Sequence, residues 1–116
     1  MKMYPKDAKQ VADCAKYRLL LRSMAEKLLV MDVYDELIAQ YPQFEYWSAS
    51  HNALLHHYGR GGLVRHTWEI VDLCMTVSIT LNLGDTVSPV ELYLAALFHD
   101  TGKMFDYELK EHETNT

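Results

Sequence analysis

The sequence has few cysteines, no excess of basic residues and no long apolar run, and each lack excludes a class of protein. Its two cysteines, Cys14 and Cys74, lie far apart without CxxC spacing, which predicts reduced thiols instead of a disulfide or a zinc framework. The net charge of −5 at pH 7 argues against a protein that grips nucleic acid through a basic surface. No segment approaches the ~20 apolar residues of a membrane span, and the N-terminus lacks the apolar run of a signal peptide. We therefore expect a soluble cytoplasmic protein that does not bind membranes.

Sustained alternation of apolar and polar residues is absent too, so strands are not expected. Apolar residues recur instead at helical spacing, as at Leu21, Ala25 and Leu28. A chain of 116 residues is long enough for one hydrophobic core. The sequence predicts an all-α fold, a compact bundle of about five helices in a single domain over 1–110, followed by a polar tail over 111–116.

Helix start and stop signals give approximate bounds for the five helices. Pro5 opens the first helix, and Asp32 caps and Pro42 ends the second. The third is expected over 44–58 and the fourth over 63–81. The fifth starts at Ser88 and continues into His99-Asp100, with Gly102 as its terminator. The fourth helix is apolar around much of its circumference, which predicts burial on several sides. The start of the fifth is marked most strongly, because Ser88-Pro89-Val90-Glu91 combines a serine cap, a proline in the first turn and a glutamate three residues after the cap.

Three residues with metal-ligand chemistry stand in these two helices. His66 lies near the start of the fourth helix, and His99-Asp100 ends the fifth. Two helices joined by a short connection run antiparallel, so the start of one lies beside the end of the other. We therefore expect the three side chains to converge. Imidazole and carboxylate ligands suit a divalent ion of Mn, Fe, Zn or Mg, and the set does not choose among them.

Each of these residues also has a plain structural interpretation. A lone histidine in an apolar helix is usually a packed residue with one satisfied hydrogen bond. Asp100 could pair with Lys103 or lie in an exposed last turn. A carboxylate near a helix C-terminus meets an unfavourable dipole, however, so a cation is expected beside it. A purely structural helical domain stays the alternative to a metal site.

The pattern resembles the HD superfamily of metal-dependent phosphohydrolases. The resemblance rests on His66 together with His99-Asp100-Thr101-Gly102-Lys103, and on the segment from His56 to Thr67, which reads HHxxxGGLxxHT. The extended pattern is most similar to the HD domains of bacterial 3'-to-5' exoribonucleases, and also to those of some conjugative relaxase proteins. It covers about 44–103.

The resemblance implies a role for each matching residue. His66, His99 and Asp100 match metal ligands, and Asp100 could also assist removal of a proton from water. Lys103 matches a lysine that neutralises a substrate phosphate. His57, or else His56, matches a histidine that approaches the phosphate or the water. The implied chemistry is hydrolysis of phosphomonoesters or phosphodiesters with a bound divalent metal.

One position of the family pattern has no match. The ligand set of the family closes with an aspartate on a helix well downstream, whereas Asp106 is the only aspartate after Asp100 and comes too soon. Three explanations are open: a fragment of a longer protein that lacks the last ligand, a minimal version with an incomplete site, or a site that recruits Asp106, His112 or another protomer.

These observations lead to one expected function and one alternative. The expected function is metal-dependent hydrolysis of a nucleotide or of the 3' end of a single-stranded nucleic acid. The alternative is a catalytically impaired HD scaffold that binds a nucleotide or a protein partner without turnover. A helical core with an exposed apolar face would also favour homo-oligomers.

Overall fold

The structure, a computed structural model, describes residues 8–45 and 61–102, and for residues 8–14 it describes the backbone alone. All regular secondary structure in these ranges is helical, which confirms the all-α prediction. The elements are α1 (Ala8–Lys27), α2 (Met31–Gln40), the short 3-10 helix η1 (Pro42–Glu45), α3 (Gly62–Thr80) and α4 (Pro89–Phe98). No helix in the described part of the chain is both long enough and apolar enough to cross a membrane.

The described part therefore holds four α-helices, where the sequence predicted about five in the whole chain. The predicted third helix over 44–58 is wrong at its start, because Phe44 lies in η1 and is fully buried there. Its remainder, over 46–58, lies outside the described residues, as do Pro5 and the predicted tail over 111–116. Cys74 is a free, half-buried thiol, as predicted.

Both α1 and α3 end in the same backbone motif, in which one left-handed residue reverses the chain. After α1 this residue is Leu29, with φ of 62°, and the N–H of Val30 donates to the Ala25 carbonyl at 2.8 Å. After α3 it is Asn82, with φ of 54°, and the next N–H donates to the Ser78 carbonyl at 2.9 Å. These are Schellman ends, which favour glycine or asparagine at the left-handed position. Asn82 fits that preference and a leucine does not.

The start of α2 differs from its prediction. The N-cap position belongs to Val30, which makes no side-chain cap hydrogen bond, and Asp32 lies in the first turn of the helix. The predicted cap at Asp32 is therefore wrong, although a carboxylate in the first turn still interacts favourably with the helix dipole. The predicted end is confirmed, because α2 stops at Gln40, two residues before Pro42.

The start of α4 is confirmed in detail. Ser88 is the N-cap, its hydroxyl accepts a hydrogen bond from the backbone N–H of Glu91 at 3.1 Å, and Pro89 is the first helical residue. The predicted end at Gly102 is wrong. The helix stops at Phe98 and a turn over 99–102 follows, so His99 occupies the C-cap position.

Helix α3 lies at the centre of the described core and packs against both α1 and α4. The fully buried large side chains of the core are Leu21, Tyr34, Phe44, Leu63, Val64, Val71, Tyr93 and Leu97. Gly61, with φ of 81°, starts α3 from a left-handed conformation that glycine adopts without strain. Burial on several sides holds only for the first half of α3, because Leu73, Val77 and Leu81 in its second half are exposed.

Two buried tyrosines tie elements of this core together. The Tyr93 hydroxyl donates to the Leu21 carbonyl at 2.8 Å, which joins α4 to α1. The Tyr34 hydroxyl donates to a carboxylate oxygen of Glu45 at 2.9 Å, which joins α2 to η1. Burial raises the pKa of both phenols above the usual tyrosine value, and the negative charge of Glu45 raises that of Tyr34 further.

Replacing Leu29 by glycine should stabilise the protein. A left-handed leucine costs about 1 kcal/mol or more in backbone strain, and the side chain is 89% exposed, so its removal forfeits little packing. Glycine also increases the conformational entropy of the unfolded chain, which offsets part of this gain. We therefore expect Leu29→Gly to raise the free energy of unfolding by about 0.5–1 kcal/mol, measured in urea titrations followed by circular dichroism. The matched control is Leu19→Gly in the interior of α1, which should lower it by about 1 kcal/mol. Destabilisation by both changes would contradict the left-handed assignment.

Stability should fall as the pH rises above about 10. Because the pKa values of Tyr34 and Tyr93 are raised in the folded state, ionisation of these tyrosines favours the unfolded chain. Below the ordinary tyrosine pKa these groups leave the stability unchanged. Above it, each group lowers the free energy of unfolding by up to ~1.4 kcal/mol per pH unit. Urea titrations between pH 8 and 11 should therefore show a flatter decline for Tyr93→Phe than for the unmodified chain. An identical slope in the two proteins would refute this origin.

Candidate metal centre

The antiparallel packing of α3 and α4 brings together three of the residues that the sequence singled out. His66 lies in the second turn of α3, and His99-Asp100 follows the last residue of α4. Although 33 positions separate the two histidines, the reactive nitrogens of their rings meet. The predicted convergence of His66, His99 and Asp100 is therefore present in the structure.

The three side chains form a nearly equilateral triangle of ligand atoms. His66 Nε2 lies 3.1 Å from Asp100 Oδ2, and His99 Nε2 lies 3.2 Å from the same oxygen. The two Nε2 atoms are 3.2 Å apart, and the ring centroids are separated by 5.2 Å with the ring planes tilted by 49°. Each side chain thus directs one potential donor atom at a common point. We call this group the His-His-Asp cluster.

These separations fit the donor atoms of a single metal ion. Ligands bound at about 2.0–2.2 Å to one transition-metal ion are about 3.0–3.4 Å apart when they are neighbours in its coordination sphere. All three edges of the triangle fall in this interval. The donor set is two imidazoles and one carboxylate, which is suited to Mn, Fe, Zn or Ni more than to Ca. Within the ranges 8–45 and 61–102 it is the group of His, Cys, Asp and Glu side chains that could hold a metal ion.

The ring of His99 is oriented as in many metal sites. Its Nδ1 lies 2.6 Å from the carbonyl oxygen of Ala96. A carbonyl only accepts hydrogen bonds, so Nδ1 carries the proton, and in the neutral ring Nε2 then presents a lone pair. A backbone carbonyl behind a histidine ligand fixes both the tautomer and the ring orientation.

In the neutral ring, this orientation turns a lone pair of His99 towards Asp100. With its proton on Nδ1, neutral His99 faces the Asp100 oxygen with a lone pair, and two acceptors in contact repel each other. A proton on His66 Nε2 could bridge to one of these acceptors, and a cation can satisfy all three donor atoms at once. The electrostatics therefore favour a positive charge at the centre of the triangle.

The cluster is partly accessible to solvent. Its three side chains are between 19 and 32% exposed, with the carboxylate the most buried. The neighbouring Arg65 does not supply a cation to the cluster, because its guanidinium bonds the Glu69 carboxylate at 3.2 Å and lies over the Tyr17 ring on the α1 side.

The other predicted site residues cannot be placed. His57 and its alternative His56 fall in the stretch 46–60, and Lys103 follows the last described residue, so all three lie outside the described residues. The same holds for Asp106 and His112. Trp68, the residue that follows Thr67 of the motif, is half-buried against the core.

Sequence reasoning missed the carbonyl of Ala96. A signal for it exists, since the last carbonyls of a helix lack backbone partners and a histidine near the helix C-terminus can donate to one of them. In a helix that continues through Asp100, however, the Ala96 carbonyl would accept from the backbone N–H of Asp100 and would not need the ring. The early end at Phe98 frees that oxygen for the ring.

Comparisons of this sequence and structure with protein-family models, curated proteins and solved structures found no match. The metal site is therefore supported by its own geometry and donor chemistry.

Binding of a divalent metal should stabilise the folded chain through the His-His-Asp cluster. A ligand that binds only the native state at 100 times its dissociation constant adds about 2.7 kcal/mol. We expect Mn²⁺ or Zn²⁺ to raise the melting temperature of the unmodified chain. His99→Ala and Asp100→Asn should each remove most of this increment, measured as the difference with and without metal for each variant.

The matched control is Asp72→Asn, which removes an exposed carboxylate of α3 outside the cluster. It should keep the full metal increment, with isothermal titration giving one equivalent of bound metal. Equal increments in Asp100→Asn and Asp72→Asn would refute the site.

Proposed function

We propose that this protein is a metal-dependent phosphohydrolase of the HD kind, acting on a nucleotide or on the 3' end of a single-stranded nucleic acid. The observation that supports it most is the triangle of His66, His99 and Asp100, in which the three residues of the motif converge with metal-ligand spacing. A divalent ion bound there would acidify a water molecule and polarise a phosphoryl oxygen.

The residues of the chain have distinct tasks in this proposal. His66 and His99 would act as neutral nitrogen ligands, and the Ala96 carbonyl, next to Nδ1 of His99, leaves Nε2 of the neutral ring as the nitrogen that binds metal. Asp100 supplies the one negative charge of the ligand set, and its carboxylate is placed to accept a proton from an attacking water. Lys103, three residues after Asp100 in the sequence, is proposed from sequence alone to neutralise the substrate phosphate, and His57 to approach it.

The charge of the chain is consistent with a phosphate substrate only when a cation is bound. The protein carries a net charge of −5, so its general field repels a phosphate. A divalent ion held by one carboxylate and two neutral rings leaves a net local charge of +1. The solvent-facing side of the cluster leaves room for the end of a large substrate to approach.

The small number of metal ligands in the described residues supports a second candidate function. The described residues contribute three ligands, one fewer than the HD pattern implies, and a three-ligand site binds metal more weakly. The alternative is a catalytically impaired HD scaffold that binds a nucleotide or a protein partner without turnover. It shares the metal cluster and differs in the absence of multiple turnovers.

Hydrolysis of a phosphodiester should require both the metal and the cluster. The experiment measures release of p-nitrophenol from bis-p-nitrophenyl phosphate, and of phosphate or nucleoside from nucleotides, with Mn²⁺ and with chelator. The double variant His99→Ala, Asp100→Ala should lose at least ~100-fold in rate, because it removes two of three ligands. Asp72→Asn should retain the rate of the unmodified chain.

Three outcomes separate the proposals. Activity that survives in the double variant would exclude a cluster-dependent hydrolase. Metal binding and nucleotide binding without turnover would favour the scaffold alternative. Absence of any metal binding would remove the support for both, and would leave the histidines with a packing role.

A further inference from the structure

The second half of α3 carries a surface that the core does not use. Leu73, Val77 and Leu81 lie at intervals of four residues, and their exposed fractions are 58, 40 and 62%. The spacing places them on one side of the helix, which continues to Leu81 because its N–H still donates to the Val77 carbonyl at 2.9 Å. We call these three residues the α3 stripe.

The α3 stripe lies in a long uncharged segment. No Asp, Glu, Lys or Arg occurs between Asp72 and Asp85, although 23% of the whole chain is charged. Exposed apolar side chains without neighbouring charges are unusual on a monomer surface and mark an interface. The three residues of the stripe themselves offer no charge that could pair with an acidic or a basic partner. The binding partner that fits the α3 stripe therefore has an uncharged, apolar surface.

The symmetry of the stripe identifies that surface. Leucine, valine and leucine stand at equal intervals, so the pattern reads the same in both directions about Val77. In an antiparallel pair of identical helices, Val77 would face the same residue of the second copy, and Leu73 would face Leu81. An interface with two-fold symmetry requires this self-complementarity. Ridges of residues four apart also interlock in the commonest class of helix packing.

We propose that the α3 stripe is the contact surface of a homodimer, in which two α3 helices cross antiparallel about a two-fold axis at Val77. The dimer is independent of the His-His-Asp cluster. Three side chains provide less than the ~800 Å² per partner of a standard stable interface, so the dimer is weak and reversible. Its dissociation constant is expected at roughly 10 µM to 1 mM.

The test is the oligomeric state of the full chain between about 10 µM and 1 mM, measured by sedimentation velocity and light scattering. The unmodified chain should shift from monomer to dimer over this range. Val77→Glu places two carboxylates against each other at the axis and should weaken dimerisation about 100-fold or more, since opposed like charges in an interface cost several kcal/mol. Circular dichroism verifies that the variant is folded.

The chain offers a matched control on the same helix. Ile79 is two residues from Val77 and therefore on the opposite side of α3, and it is 80% exposed. Ile79→Glu adds the same charge without touching the stripe, so its dimerisation should equal that of the unmodified chain. A stronger effect of Ile79→Glu than of Val77→Glu would overturn the proposal.

A second variant decides the case if Val77→Glu fails to fold. In a background of Cys14→Ser and Cys74→Ser, Val77→Cys puts one thiol of each copy at the axis, within reach of a disulfide. Mild oxidation should cross-link this variant much faster than the Ile79→Cys variant. Equal rates, a chain that stays monomeric up to ~1 mM, or a dimer that dissociates when chelator is added would each overturn the assignment to the stripe.

Discussion

The contact between α3 and α4 is the interaction on which both the core and the metal cluster depend. The two helices are antiparallel, so α3 begins where α4 ends, and this alone brings His66 to His99 and Asp100. The same contact buries Leu63, Val64 and Leu97. The buried apolar residues stabilise the packing, and the packing in turn holds the ligand atoms at spacings of 3.1–3.2 Å. The cluster needs no separate device to assemble.

How far the sequence predicted this arrangement depends on how local each signal is. The cap at Ser88 was predicted correctly because all its parts lie within four residues. The convergence of His66 with Asp100 was predicted because it requires only two helices of known direction and a short connection. The all-α class followed from periodicity along the whole chain. These features survive boundary errors of a few residues, and so they could be obtained without a structure.

The errors occurred where tertiary contacts or backbone strain decide the outcome. Nothing in the local sequence of Leu29 favours a left-handed conformation, and the chain adopts it because the reversal between α1 and α2 lets Tyr34 and Leu37 reach the core. The early end of α4 was missed because Gly102 is the expected terminator, whereas the His99 ring supplies a hydrogen bond to the carbonyl of Ala96 instead. The exposure of the second half of α3 depends on how far α1 and α4 extend along it. Periodicity shows that this half is apolar and cannot show that it is uncovered.

The position of the cluster between two helix ends gives a physical reason for its affinity for cations. Asp100 follows the C-terminus of α4, where the helix dipole is negative, and its carboxylate faces the Nε2 atoms of His66 and His99. The N-terminal end of α3 lies alongside and contributes a partial positive charge, and His66 in its second turn presents a ring nitrogen to the carboxylate. Negative potential thus accumulates among three side chains that are each more than two-thirds buried. A divalent cation is the species that relieves this potential and satisfies the donor geometry together, whereas a single proton relieves it for one pair of atoms only.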